Sequence, residues 1–149
     1  VMRTVSKMGL AGLRLGYLAG AKNLIDEIDK VRLPYNINVL TQLSAGFALD
    51  HIDELNRQTD NIKKDREVLF TAMAAIDGLE VFPSHANFIL FRSNHKSADE
   101  VFEALKKQKV LIKNLSKASA SLNNCLRVTV GLPAENDKFL SALKVALSS

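Results

Sequence analysis

The switching between helical and strand spacing in the second half of the chain does most to limit what it can fold into. In residues 125–130 (CLRVTV), Leu126, Val128 and Val130 share one face of a strand, and Cys125, Arg127 and Thr129 share the other. Residues 87–92 (NFILFR) read as another strong strand, with further strands at 79–82 and 110–114. Helical spacing surrounds them. Residues 53–76 place Leu55, Ile62, Leu69, Met73 and Ile76 inward, and Gly78 ends that helix. Ser97 caps a helix over 98–107 with Val101, Phe102 and Leu105 inside. Pro133 opens a last helix at its first position, and Phe139, Leu140, Leu143 and Leu147 form its inner stripe. The order helix, strand, strand, helix, strand, strand, helix predicts a compact α+β unit. With 47% hydrophobic and 24% charged residues in 149, the chain has material for one ordinary core.

The opening segment differs. Residues 3–5 read as the end of a strand entering a loop at 6–12, and 13–19 alternate as a strand. Leu13, Leu15 and Tyr17 then point one way, with Arg14 and Gly16 on the opposite side. Residues 21–31 carry Leu24, Ile25 and Ile28 at helical spacing, and Pro34 marks the end of that helix. In the connector 32–38, Asn36 or Asn38 is placed to cap a following helix with Leu40, Leu43 and Phe47 on one stripe. That helix breaks near Asp50 and His51.

The chemistry is crowded into residues 3–17 (RTVSKMGLAGLRLGY). Lys7 follows Ser6, glycines stand at 9, 12 and 16, and Arg14 lies among apolar residues. A lysine amine becomes a nucleophile where desolvation or a neighbouring cation favours its neutral form. Arg14 and Ser6 match a phosphate in charge and hydrogen bonding, and glycine amides approach an anion closely. The set suits a phosphate-bearing aldehyde cofactor; an ordinary loop lysine is the alternative. Arg127 is either a bidentate anchor for a carboxylate or phosphate or an exposed arginine on a half-solvated sheet.

Other chemistries are disfavoured. The net charge of +4 is mild and spread out, and aromatics are 6%, so no stripe for nucleic acid stands out. No apolar run approaches membrane-spanning length. One cysteine, Cys125, permits no internal disulfide and fits a reducing compartment. His51, His85 and His95 lack metal-ligand spacing, so no metal site is expected.

Residues 3–17 resemble the cofactor-lysine segment of the pyridoxal-phosphate aminotransferases of fold type I, and within them the histidinol-phosphate aminotransferases. The resemblance continues, in the family's order, through 32–36 (RLPYN), 87–90 (NFIL), 110–114 (VLIKN), 126–131 (LRVTVG) and 133–136 (PAEN). It implies that Lys7 carries pyridoxal 5′-phosphate covalently and moves the proton. It further implies that Ser6 and Arg14 bind the cofactor phosphate and that Arg127 anchors an anionic group of the substrate. The implied fold is an α+β small domain, an antiparallel sheet with helices, preceded by the end of an α/β large domain. Residues 1–37 would be that remnant, and 38–149 an interdomain helix and the C-terminal small domain.

The implied reaction exchanges an amino group between histidinol phosphate and 2-oxoglutarate in histidine biosynthesis, in a cytoplasmic homodimer acting on small molecules. Neither nucleic acid nor membrane is an expected partner. The family's remaining cofactor contacts lie upstream of the lysine segment, so the resemblance implies a C-terminal part that lacks transaminase activity alone. A related threonine-phosphate decarboxylase is one alternative. Another is a non-catalytic domain that associates through the apolar residues of 8–19. Two positions depart from the family pattern. Lys113 stands where many relatives have arginine, which keeps the charge and loses the planar fork. Leu132 stands where relatives often have a capping threonine, which predicts a loss of about 1 kcal/mol at the last helix.

Overall fold

A computed structural model describes residues 1–148. The chain divides into two compact units, Val1–Asp60 and Asn61–Ser149.

In the first unit, strands β1 (Met2–Thr4) and β2 (Gly16–Leu18) pair antiparallel, with Met2 opposite Leu18 and Thr4 opposite Gly16. Two 3₁₀ turns, Ser6–Met8 and Ala11–Leu13, fill the loop between them. The strand expected over 13–19 is thus shorter. Gly9 (φ 88°) and Arg14 (φ 52°) adopt left-handed backbone, which turns the chain where the apolar alternation suggested extension. Arg14 closes the second turn and is not on the strand. Gly16 is required by close approach, because a Cβ there would lie 2.8 Å from the Arg3 carbonyl oxygen. Helix α1 (Lys22–Asp29) follows, then α2 (Val39–Asp50), capped by Asn38, whose side chain accepts the Thr41 N–H at 2.8 Å. Leu40, Leu43 and Phe47 do form a stripe on α2, but it is exposed. His51 ends α2, and α3 (Ile52–Ala74) begins directly after it.

The second unit holds the core. Strands β3 (Leu79–Val81), β4 (Phe88–Ser93), β5 (Lys113–Asn114) and β6 (Cys125–Thr129) form an antiparallel sheet in the order β3-β4-β6-β5. Ile89 faces Val128 and Phe91 faces Leu126 across the central pair, and all four are buried. Leu69 and Met73 of α3, Val101 and Leu105 of α4 (Ala98–Lys107), and Phe139 and Leu143 of α5 (Pro133–Ser148) join the same cluster. These are the inner faces that the spacing predicts, in an α+β unit with an antiparallel sheet.

Three caps fix the helices of this unit. Ser97 and Glu100 form a reciprocal capping box at α4. Asn124, in left-handed backbone, accepts the Ala98 N–H at 2.6 Å and donates to the carbonyls of Ser93 and Lys96. At α5 the deficit expected from Leu132 is offset. The Glu135 carboxylate accepts the Leu132 N–H at 2.8 Å, and buried Asn136 bonds both backbone groups of Gly131.

Candidate functional site

Ser6, Lys7 and Arg14 come together in the first unit because a short paired strand delivers the chain into tight turns. Val5 is buried, and its N–H donates to the Leu15 carbonyl at 3.2 Å, which pins both ends of the loop. The next three residues form one 3₁₀ turn carrying Ser6 and Lys7. The second turn ends at Arg14, whose N–H donates to Ala11 at 3.3 Å. A non-glycine residue in left-handed backbone stores about 1 kcal/mol or more of strain, and such strain clusters at functional positions.

Thr4 completes the arrangement. Its hydroxyl donates to the Leu15 carbonyl at 3.1 Å and lies 2.7 Å from the Ser6 hydroxyl. With its one proton so engaged, Thr4 accepts from Ser6, and also from the Ser6 N–H at 3.2 Å. Thr4 is absent from the set read off the sequence. The hydroxyl two residues before Ser6 is visible in the sequence, but its bond to the Leu15 carbonyl is not.

These residues line an open cleft of about 910 Å³. Arg3, Lys7, Arg14 and Arg32 all contribute to its wall, and no carboxylate does among the described residues. Asp29 and Asn36 hold the Arg32 guanidinium by hydrogen bonds at 2.5 and 3.0 Å. The Asp29 carboxylate offsets the charge of Arg32, so Arg3, Lys7 and Arg14 beside two hydroxyls carry the positive potential, and such a cleft favours an anionic ligand. The phosphate of pyridoxal phosphate fits this donor set. Lys7 is exposed, so the described residues of this unit do not enclose it.

Arg127 belongs to the second unit. It projects from β6 on the face opposite the core, with its guanidinium carbon 4.7 Å from the centroid of the Phe88 ring. Its cross-strand partner on β5 is Lys113. Two cations directly opposite one another repel, and an anion bridging them relieves that repulsion. Cys125, which alternation places on the same face, is fully buried. Arg92 reaches over this end of the sheet to the carbonyls of Asn123 and Ser121. No cluster able to hold a metal ion occurs among the described residues, and no helix is long and apolar enough to cross a membrane.

Comparison with known proteins identifies the family. Residues 1–143 match the family of aminotransferases of class I and II. Histidinol-phosphate aminotransferase 1 of Ralstonia nicotianae is 53% identical over 147 residues, which are 99% of this chain and 39% of that protein. The structure of histidinol-phosphate aminotransferase from Sinorhizobium meliloti in complex with pyridoxal-5′-phosphate superposes with a TM-score of 0.83 at 28% identity, over 99% of this chain and 40% of that one. L-threonine-O-3-phosphate decarboxylase from Porphyromonas gingivalis gives a TM-score of 0.87 at 27% identity, over 99% of this chain and 46% of that one. The chain thus spans less than half the length of these relatives, and its α+β fold corresponds to part of each. By its match over nearly its whole length, the chain belongs to the aminotransferases of class I and II.

Proposed function

We propose that the chain is the C-terminal part of a pyridoxal-phosphate-dependent histidinol-phosphate aminotransferase. Its full-length form would exchange an amino group between histidinol phosphate and 2-oxoglutarate, yielding imidazole-acetol phosphate and glutamate. The observation that carries this reading is the cation-lined cleft that gathers Ser6, Lys7 and Arg14, in a chain 53% identical to such an enzyme. When bound, the cofactor supplies an electron sink for the carbon from which the amino group leaves or to which it is added.

The chain's own residues do the rest. Lys7 holds the cofactor and then, released by substrate, carries the proton at its Nζ. Ser6 and Arg14 would hold the cofactor phosphate. Arg127 anchors the substrate's carboxylate or phosphate. On this reading residues 1–37 end the cofactor domain, and 38–149 comprise the interdomain helix and small domain. The full enzyme is a cytoplasmic homodimer, and its remaining parts cover the apolar faces of α1 and α2.

The test is borohydride trapping of pyridoxal phosphate on the full-length protein. Label is expected on Lys7, and Lys7→Ala is expected to lose both label and amino transfer. Label on another lysine overturns the assignment. The isolated chain is expected to show no transaminase turnover, and turnover by it alone overturns that part. The likeness to L-threonine-O-3-phosphate decarboxylase favours a second reading with the same lysine and phosphate grip. Carbon dioxide release from phosphothreonine, without amino transfer, would select it. A non-catalytic association domain would instead show self-association lost on polar substitution of residues 8–19, with no label at Lys7.

A further inference from the structure

We propose that the segment Val110–Leu111–Ile112 is a strand held one step short of pairing, and that it closes onto the free edge of β6 when an anion bridges Lys113 and Arg127. The inference rests on the anion-anchoring reading of Arg127 and adds to it a conformational consequence.

Three observations carry it. First, β5 pairs with β6 only at Lys113↔Arg127 and Asn114↔Leu126. Leu115 N–H donates to the Cys125 carbonyl at 3.0 Å, so 115/125 and 113/127 are the positions whose backbone groups face the partner strand, and the next in this register is Leu111/Thr129. No hydrogen bond joins those two backbones among the described residues, and an open groove of about 330 Å³ lies along them.

Second, the segment is already phased for the missing pairs. Val110 and Ile112 lean on the core while Leu111 is 78% exposed. Across the groove Val128 and Val130 are buried and Thr129 is exposed. Extending the register sets 110 against 130, 111 against 129 and 112 against 128, so inward residues meet inward ones. A slip of one residue would flip every side chain. Closure therefore needs a lateral approach and no rotation of the segment.

Third, a restraint at each end of 110–112 explains why it stands off. On one side, Lys109 takes left-handed backbone (φ 60°), and the Val110 N–H donates back to Leu105 at 3.0 Å, the bond that closes the end of α4. On the other, Lys113 is the cross-strand partner of Arg127, and their like charges oppose extension of the ladder beyond that last formed pair. An anion between the two cations removes the second restraint. Thr129 N–H and Leu111 N–H then each find the other's carbonyl, and an unprotected strand edge is covered.

Amide hydrogen exchange on the unaltered chain tests this, with inorganic phosphate as the probe and chloride at equal ionic strength as the reference. Saturating phosphate is expected to slow exchange at both Leu111 and Thr129 by about tenfold or more, as newly bonded amides require. Leu111→Pro, which lacks the N–H, is expected to retain phosphate binding and lose the protection at Thr129. Calorimetry separates the two levels of the proposal. Phosphate heat that disappears in Arg127→Met, with unchanged exchange at Thr129, overturns strand closure and leaves the anion reading standing. No phosphate heat attributable to Arg127 overturns the anion reading and the coupling together. Protection at Thr129 that rises with protein concentration assigns the edge to a second copy of the chain, and also overturns closure by residues 110–112.

Discussion

The two units spend the same kinds of residue in opposite ways. In Asn61–Ser149, leucines, valines and phenylalanines from three helices and the sheet share one buried cluster. In Val1–Asp60 only Val5 and Ala45 are buried apolar residues. Fourteen of the eighteen large apolar side chains left exposed among the described residues lie in that unit. Yet it is the first unit that assembles a cation-lined cleft from local turns. Short-range backbone geometry is enough to gather Ser6, Lys7 and Arg14; it is not enough to bury them. A site can be specified by a few adjacent residues, whereas a core needs partners distant in sequence.

Two leucines on helices give the sharpest test of this contrast. Leu143 of α5 is fully buried, and Leu43 of α2 is 65% exposed. Leu143→Ala is expected to cost about 2–5 kcal/mol, the range for emptying a packed site. Leu43→Ala is expected to cost no more than about 0.5 kcal/mol, as for other surface changes. Urea unfolding followed by circular dichroism measures both, and similar losses would break the comparison. A smaller difference is expected between two asparagines. Asn136 is buried and bonds both backbone groups of Gly131, so Asn136→Ala should cost about 1–3 kcal/mol by orphaning them. Asn38 caps α2 at the surface, and Asn38→Ala should cost about 1 kcal/mol.

How much of this was legible in the sequence also differs between the units. Ser97 and the span 98–107 were readable because a cap and an amphipathic stripe are local signals, and the structure places both as expected. The inner faces of β6 and α5 followed from period alone. The strand over 13–19 was misread because apolar alternation carries no information about a left-handed residue at Arg14. The span of β5 was overextended because the Lys109 cap that holds Val110 at the end of α4 is a tertiary outcome. The stripe on α2 was readable, but its exposure was not, since periodicity does not say what lies opposite. Leu132 alone does not decide the α5 cap, because Glu135 and Asn136 do the bonding from inside the helix. At the site, the trio within nine residues was legible. Thr4 was not, because its role depends on the carbonyl of Leu15. Arg127 is placed by the structure in the other unit.

Backbone strain offers a third way to separate the units. Lys109 and Arg14 both adopt left-handed backbone, at φ 60° and 52°. Replacement by glycine relieves that conformation in each case, and each variant is expected to gain about 1 kcal/mol of stability. Their functional consequences should diverge. Lys109→Gly is expected to leave phosphate affinity at the cleft unchanged. Arg14→Gly is expected to weaken it at least about tenfold, the loss of one charge-assisted contact. Thermal unfolding and phosphate titration together check this, and equal phosphate affinity in the two variants would remove Arg14 from the proposed grip.

The smallest expected effect compares two glutamates in the first turns of helices, Glu54 of α3 in the first unit and Glu100 of α4 in the second. Hydrogen bonds from Arg57, and then Gln58, hold the Glu54 carboxyl down at about 2. The Ser97 hydroxyl, and then the Ser97 N–H, lower that of Glu100. Both folded values lie below the ordinary 4.5, so each carboxylate contributes stability that is fully present above that value and lost as pH falls through its folded one. For Glu54 the window runs from 4.5 down to about 2. Melting temperature is therefore expected to fall less steeply with acid in Glu54→Gln and in Glu100→Gln than in the parent. Salt distinguishes the two. The first hydrogen-bond donor to Glu54 is a charged, exposed side chain, Arg57, and about 1 M sodium chloride weakens such a charge-assisted pair. Glu100 accepts the Ser97 N–H at 2.9 Å in a cap, a short-range bond that screening affects less. At high salt the acid sensitivity owed to Glu54 should shrink while that owed to Glu100 persists. The reverse order would mean that the α4 cap acts through charge more than through its hydrogen bonds.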